Sequence, residues 1–240
     1  MNEPVDPRES RGRLVMELAE DTTGFGLVEL RTARDLLLRP AAVLDAYMTS
    51  GVTGGGRYAR PLRFYMALCG LLMVVLFLSG GMRQVLAEWP AELLDPLLDR
   101  SGKSREMFLA DVDSWISLVL VPVVLLCYAL VVAPLLKAWD RSLNWRRSFR
   151  AVFAFLCAWT LPILPLSPLA YRREYIGLST LLLVAAAVIA FIRMGRGRWW
   201  LTWQGAVVKS LVIAVASVVT SNIGMLPVVA IGLLGAIFGP

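Results

Sequence analysis

Trp115–Leu136 reads WISLVLVPVVLLCYALVVAPLL, a stretch without one charged residue. An apolar run of about 18 residues or more is long enough to cross a bilayer as a helix. The pattern recurs on either side of it. Phe64–Met82, Ala151–Tyr171 and Tyr175–Ile192 are equally free of charge, and a last run begins at Ala206, carries Lys209, and is charge-free from Ser210 to Pro240. The reading is an all-α, polytopic helical membrane protein with about five transmembrane helices preceded by amphipathic interfacial helices. A hydrophobic content of 58% and a mean hydropathy of +0.66 exceed ordinary soluble composition and agree with it.

Much chemistry is excluded by residue type. The chain has no histidine, and no Asp or Glu lies inside any apolar run, so Ser-His or Cys-His nucleophiles cannot be built and an intramembrane carboxylate relay has no carboxylate. Cys69, Cys127 and Cys157 fall in three different runs without a CxxC pair; they read as small buried hydrophobes, not metal ligands. No catalytic residue, metal or cofactor is expected, and the scattered acids of the loops read as solvated faces.

Orientation follows from the loops. Arg57, Arg60, Arg63, Lys137, Arg141, Arg146, Arg147, Arg150, Arg193, Arg196 and Arg198 flank the runs on one side; Arg83, Arg100, Lys103, Arg105, Arg172 and Arg173 flank them on the other. The richer side is cytoplasmic by the positive-inside rule, so the N-terminus is inside and, with five spans, the C-terminus outside. The net charge of +6 is accounted for by these loops and implies no nucleic-acid partner. Lysine occurs only as Lys103, Lys137 and Lys209, an arginine-heavy usage that points to a GC-rich bacterial genome and the bacterial cytoplasmic (inner) membrane. Met1–Arg60 has no apolar signal-peptide core, so the first span is expected to be an uncleaved anchor. Trp115, Trp139, Trp199, Trp200 and Trp203 cluster at span ends, as rings anchored at head-group level do.

Before the bundle, residues 1–24 are acidic and proline-bearing and read as a mobile polar tail. Residues 25–60 hold two short amphipathic helices: Leu27, Leu30 and Leu37 oppose Arg31, Arg34 and Asp35, and Pro40 opens a second helix with an apolar stripe of Val43, Leu44, Tyr47 and Met48. Both can lie in the membrane interface or pack on the bundle or a partner. Gly51–Gly56 reads as a flexible hinge. Residues 61–240 form the bundle, with an extracytoplasmic loop at 83–114 in which Pro90 starts a helix bearing Leu93, Leu94, Leu97 and Leu98 on one face. Arg31, Arg34, Arg39, Arg57, Arg60 and Arg63, with Arg146 and Arg147 of the basic loop, are the candidates for holding anionic lipid head groups.

Three intramembrane features stand out. Pro162, Pro165 and Pro168 recur in LPILPLSPL, so a helix is not expected to continue regularly past Leu161; the segment either lines a cavity, as broken helices do in some transporters, or ends a short span at the interface. The final run is longer than one span needs, and Ser221–Pro227, with Asn222, supplies a break after which the tail lies at the outer surface, re-enters, or returns as a short sixth span. Lys209 either snorkels to the cytoplasmic head groups or faces the bundle and binds an anion, across from Asn222 or the carbonyls of the third span.

The block RTARDLLLRPAAVLDAYM followed by GRYARPLRFYMALCGLL resembles, over residues 27–70, the bacterial membrane family named domain of unknown function 3667. The matching positions are Arg34, Asp35, Leu36, Leu37, Arg39, Pro40, Tyr47, Arg57, Tyr58, Pro61, Arg63 and Tyr65. Many relatives carry an N-terminal zinc ribbon, and residues 1–26 here hold no cysteine or histidine to form one. The plan of amphipathic helices followed by five spans is also similar to Yip-type membrane proteins, which implies membrane trafficking or shaping. The expected role is a non-enzymatic membrane scaffold or assembly partner that contacts anionic lipid and a membrane-protein partner or a second copy of itself. The alternative is a small transporter or channel component using breaks at 161–169 and 221–227.

Overall fold

A computed structural model describes residues 26–79, 89–170 and 175–239. The tail at 1–24, residues 80–88 of the outer loop, and Arg172 and Arg173 lie outside the described residues. Eight helices of ten residues or more follow one another: α1 Leu27–Leu38, α2 Pro40–Thr49, α3 Pro61–Leu78, α4 Ala91–Ser101, α5 Arg105–Trp139, α6 Trp145–Ile163, α7 Ile176–Gly195 and α8 Trp203–Phe238. Five of them, α3, α5, α6 with its extension to Leu169, α7 and α8, are long and apolar enough to cross a membrane.

Helix starts follow local chemistry. Pro40 and Pro61 occupy the first turns of α2 and α3, where a missing N–H costs nothing and the fixed φ is already helical. Asn144 and Thr202 cap α6 and α8 by accepting from the backbone N–H of Arg147 and Gly205, satisfying donors that have no intrahelical partner.

The bundle is organised around α6, which packs against α3, α5, α7 and both N-terminal helices. Its Val152, Phe155, Leu156 and Cys157 are buried with Phe64 and Leu68 of α3, Val132 and Leu136 of α5, and Ala187 and Phe191 of α7. A second, separate cluster lies at the far end of the molecule, where Leu94 of α4 meets Phe108, Leu109, Val112 and Ile116 of α5 and Val228 and Ala236 of α8. The leucine face expected in α4 is therefore only partly used, since Leu94 is buried and Leu93 exposed.

Two sequence expectations about breaks are corrected. α8 is one continuous helix of 36 residues, about 54 Å long, with no break at Ser221–Pro227. Its buried positions run Ser210, Ala214, Ser217, Thr220, Gly224, Val228, Gly232 and Ala236, a face of mostly small residues three or four apart that lets two helices approach closely in lipid. α5 lies along this face: a Cβ on Gly232 would sit 2.6 Å from Ile116 Cγ1, and one on Gly235 would sit 2.5 Å from the Trp115 ring. Packing along the full length compensates for the hydrogen bond that Pro227 cannot donate, which lipid-embedded helices tolerate when neighbours support them.

The proline repeat is milder than expected. α6 continues through Pro162 to Ile163, tightens into a 3₁₀ turn at Leu164–Leu166, and resumes as one α turn at Ser167–Ala170. Pro165 sits at the start of the 3₁₀ turn and Pro168 near the start of the last α turn, so each proline falls where one helix type gives way to the next. The change is of helix type, not of helix to loop.

Candidate functional site

The N-terminal helices sit at one end of the bundle beside the loops joining α5 to α6 and α7 to α8. Arg198 bridges all three, its Nη2 3.0 Å from Asp45 Oδ1 and its Nη1 3.4 Å from Asp140 Oδ2. Arg150 donates to the Tyr47 carbonyl at 2.6 Å and Arg193 to the Leu38 carbonyl at 3.0 Å. The basic loops counted from the sequence thus share one surface.

α1 is oriented opposite to a helix on a water-soluble core. Leu27, Leu30, Leu37 and Leu38 are exposed, whereas Glu29, Thr32 and Asp35 are buried. Such an inversion is stable only if every inward polar group is hydrogen-bonded, and that condition is met. Glu29 accepts from the Gly26 N–H at 3.0 Å, and Thr32 Oγ1 accepts from the Ala59 N–H at 2.9 Å while donating to the Val28 carbonyl. Asp35 accepts from Tyr58 Oη at 3.1 Å and from Arg34 at 2.9 and 3.0 Å, with the Arg57 guanidinium 3.7 Å away. Tyr47 packs edge-on to Tyr58 at 5.9 Å and donates to the Ala59 carbonyl at 2.7 Å.

Burial alone would raise the Asp35 carboxyl, but hydrogen bonds from Arg34 and Tyr58 and the charges of Arg34 and Arg57 outweigh it, leaving the carboxyl below its ordinary 3.8. The Tyr58 hydroxyl is pushed up, first by burial and then by the carboxylate it serves. Gly51–Gly56, expected as a flexible hinge, closes this clasp as a wound turn in which the Gly55 N–H reaches the Ser50 carbonyl and the Tyr58 N–H reaches the Thr53 carbonyl. Gly54 has φ +56°, and a Cβ there would lie 2.8 Å from the Tyr58 ring, so this position is confined to glycine.

Of the candidate head-group residues, Arg60, Arg63 and Arg146 converge. With Arg150 they line a groove of about 490 Å³ floored by Val52, Pro61, Leu62, Phe149 and Phe153 and lined by no acid. Arg34 and Arg57 belong to the Asp35 clasp, and Arg57 also lies 5.3 Å over the Tyr58 ring. Arg31, Arg39 and Arg147 are exposed outside both. Arg150, the groove's fourth cation, ends the basic loop Lys137–Arg150 that the sequence offers for head-group contact, and only the fold shows which arginines of that loop turn toward α3.

Lys209 points back toward its own helix start. Its ammonium donates to the Trp199 carbonyl and lies 5.6 Å from the Trp139 ring centroid, while Asn222 is exposed and donates only to the Val218 carbonyl. The two are not brought together. Pro162 lines a different space, an apolar groove of about 240 Å³ between α6 and α7 closed at one end by Leu36, Pro40 and Arg193. Trp199 lies between α7 and α8, at a span end as expected, and is fully buried there, stacked 5.4 Å from Phe191 and edge-on to Phe155; Trp145 and Trp203 stay exposed at span ends. The tight turn after Gly195 folds Trp199 back into the bundle, which its place directly after the basic stretch Arg193–Arg198 does not reveal.

No family model matches the chain, and neither a curated protein nor a solved structure matches it.

Proposed function

We propose that this chain is a non-enzymatic protein of a bacterial cytoplasmic membrane that gathers anionic lipid at its N-terminal end and serves as a scaffold there. The observation that carries the reading is the groove of Arg60, Arg63, Arg146 and Arg150 over an apolar floor. Four guanidiniums beside the first turns of two spans suit phosphate oxygens, and the aromatic floor suits the glycerol and upper acyl region. The excess of basic residues at this end supports a cytoplasmic N-terminus. The exposed leucines of α1 would then lie in the inner leaflet's interface.

The resemblance to domain of unknown function 3667 belongs to the same proposal. Asp35, Tyr47, Arg57 and Tyr58, four of its positions, meet in the clasp that fixes α1 and α2 over the groove's neighbourhood, which gives the shared residues a common physical purpose. The transport reading has less support, since Pro162 borders an apolar groove and Asn222 faces away from the bundle.

The test is native mass spectrometry of the full chain extracted from membranes containing phosphatidylglycerol and phosphatidylethanolamine. Replacing Arg60, Arg63 and Arg146 with Gln should strip the retained anionic lipid, each residue near the surface contributing about 1 kcal/mol. Equal retention by the triple variant rejects the site.

A further inference from the structure

On α8, the residues diametrically opposite the face packed on α5 are Val208, Val212, Val215, Val219, Asn222 and Leu226, and all six are exposed. Their spacing alternates four and three, the heptad seam along which two helices supercoil. Five of the six are aliphatic, as a lipid-facing helix requires. The sixth is an amide.

Asn222 lies thirteen residues from Lys209, whose ammonium marks one interface at Trp139, and thirteen from Gly235, which packs on Trp115 at the other. That puts it about 20 Å from each, near the bilayer midplane. Its single hydrogen bond runs from Nδ2 to the Val218 carbonyl at 2.8 Å. Oδ1 and the second amide hydrogen have no partner among the described residues, and hydrocarbon supplies none, a costly arrangement for a polar group in lipid.

We infer that this stripe is a self-association surface and that its partner is a second copy of this chain. Every copy inserts with the same end inward, so two stripes can meet only in parallel about a two-fold axis along the membrane normal. Parallel pairing sets the two Asn222 side chains opposite each other. Each amide keeps its bond to the Val218 carbonyl and donates its free hydrogen to the other's Oδ1, satisfying both. One polar residue in an otherwise aliphatic heptad seam fixes register and partner number in this way, and an unrelated apolar helix would leave the amide unanswered. The valine seam supplies shape; the amide supplies the choice of partner.

The experiment uses the full chain with Cys69, Cys127 and Cys157 replaced by alanine, in proteoliposomes diluted with increasing lipid. Val219→Cys, on the seam, should form a disulfide-linked dimer on mild oxidation, whereas Val218→Cys, one residue away and about 100° around the helix, should not. Asn222→Leu should raise the dissociation constant measured by energy transfer about three- to twentyfold, the span measured for interhelical hydrogen bonds in membranes, and Asn222→Gln should restore part of it. Because Asn222 is exposed and its hydrogen bond stays within α8, the Asn222→Leu monomer should keep its melting temperature. Equal crosslinking at 218 and 219, an unchanged dissociation constant for Asn222→Leu, or a wild-type chain that is monomeric at every dilution overturns the assignment.

Discussion

Tyr58 donates its hydroxyl to the buried carboxylate of Asp35 at 3.1 Å, across 23 residues of sequence. This bond ties the turn leading into α3 to the inward face of α1, and it makes the most polar contact of the N-terminal region a structural one. Tyr58→Phe should lower stability by about 1 kcal/mol, the usual net worth of such a bond, and Asp35→Leu by more, since it also removes the partner of Arg34 and Arg57. Thermal unfolding in detergent followed by tryptophan fluorescence reads both.

The same carboxylate sets a pH dependence. Its pKa in the folded protein is below the ordinary 3.8, so its contribution is complete above that value and is lost as pH falls through the lowered one. Between pH 7 and pH 5 the clasp should be insensitive. Below about pH 4 α1 should loosen, and protease cleavage near Arg31 or Arg34 should accelerate; in Asp35→Asn that acceleration should be absent.

Gly195 accommodates the buried ring of Trp199, and a Cβ there would fall 2.6 Å from Trp199 Cε3. Gly195→Ala should therefore displace the ring and cost about 1–3 kcal/mol, as overpacking does. Loss of the native tryptophan emission maximum at unchanged helix content is the expected signature.

Lys209→Met removes the donor to the Trp199 carbonyl. The melting temperature should fall modestly, by the equivalent of about 1–2 kcal/mol, and the set of lipids that co-purifies should not change. A lost anionic ligand would assign this lysine the binding role instead.

The two ends of the bundle are distinguishable by labelling. A cysteine at Asp95 in α4 and another at Arg141 in the α5–α6 loop, each on a cysteine-free background, lie at opposite ends of α5. Asp95→Cys should react with an impermeant maleimide added outside and Arg141→Cys only after permeabilisation; the reverse pattern inverts the proposed orientation.

The spans were legible because charge-free length is a property of composition and needs no knowledge of neighbours. Pro40 as a helix start was legible for a related reason, its geometry being intrinsic. The division of α1 into a leucine face and a face bearing Asp35 was legible as periodicity, but the bonds that Asp35 and Thr32 make to Tyr58 and Ala59 were not, because those partners lie 23 and 27 residues away. The continuity of α8 was missed since Pro227 and Gly224 are breakers in isolation, while the small-residue face that holds them straight acquires meaning only beside Ile116 and Trp115. In the basic groove, Arg60, Arg63 and Arg146 were visible as charges and Arg150 as a loop residue, but their convergence depends on how α3 and α6 pair.

The helices of this bundle differ greatly in length. α3, with 18 residues, rises about 27 Å at one flank, where it packs on α6. On the other flank α8 is uncharged from Ser210 to Phe238, about 43 Å of apolar helix. Acyl chains against α8 therefore face an apolar surface longer than the roughly 30 Å hydrocarbon core of a bilayer, and they must stretch or the helix must tilt to cover it.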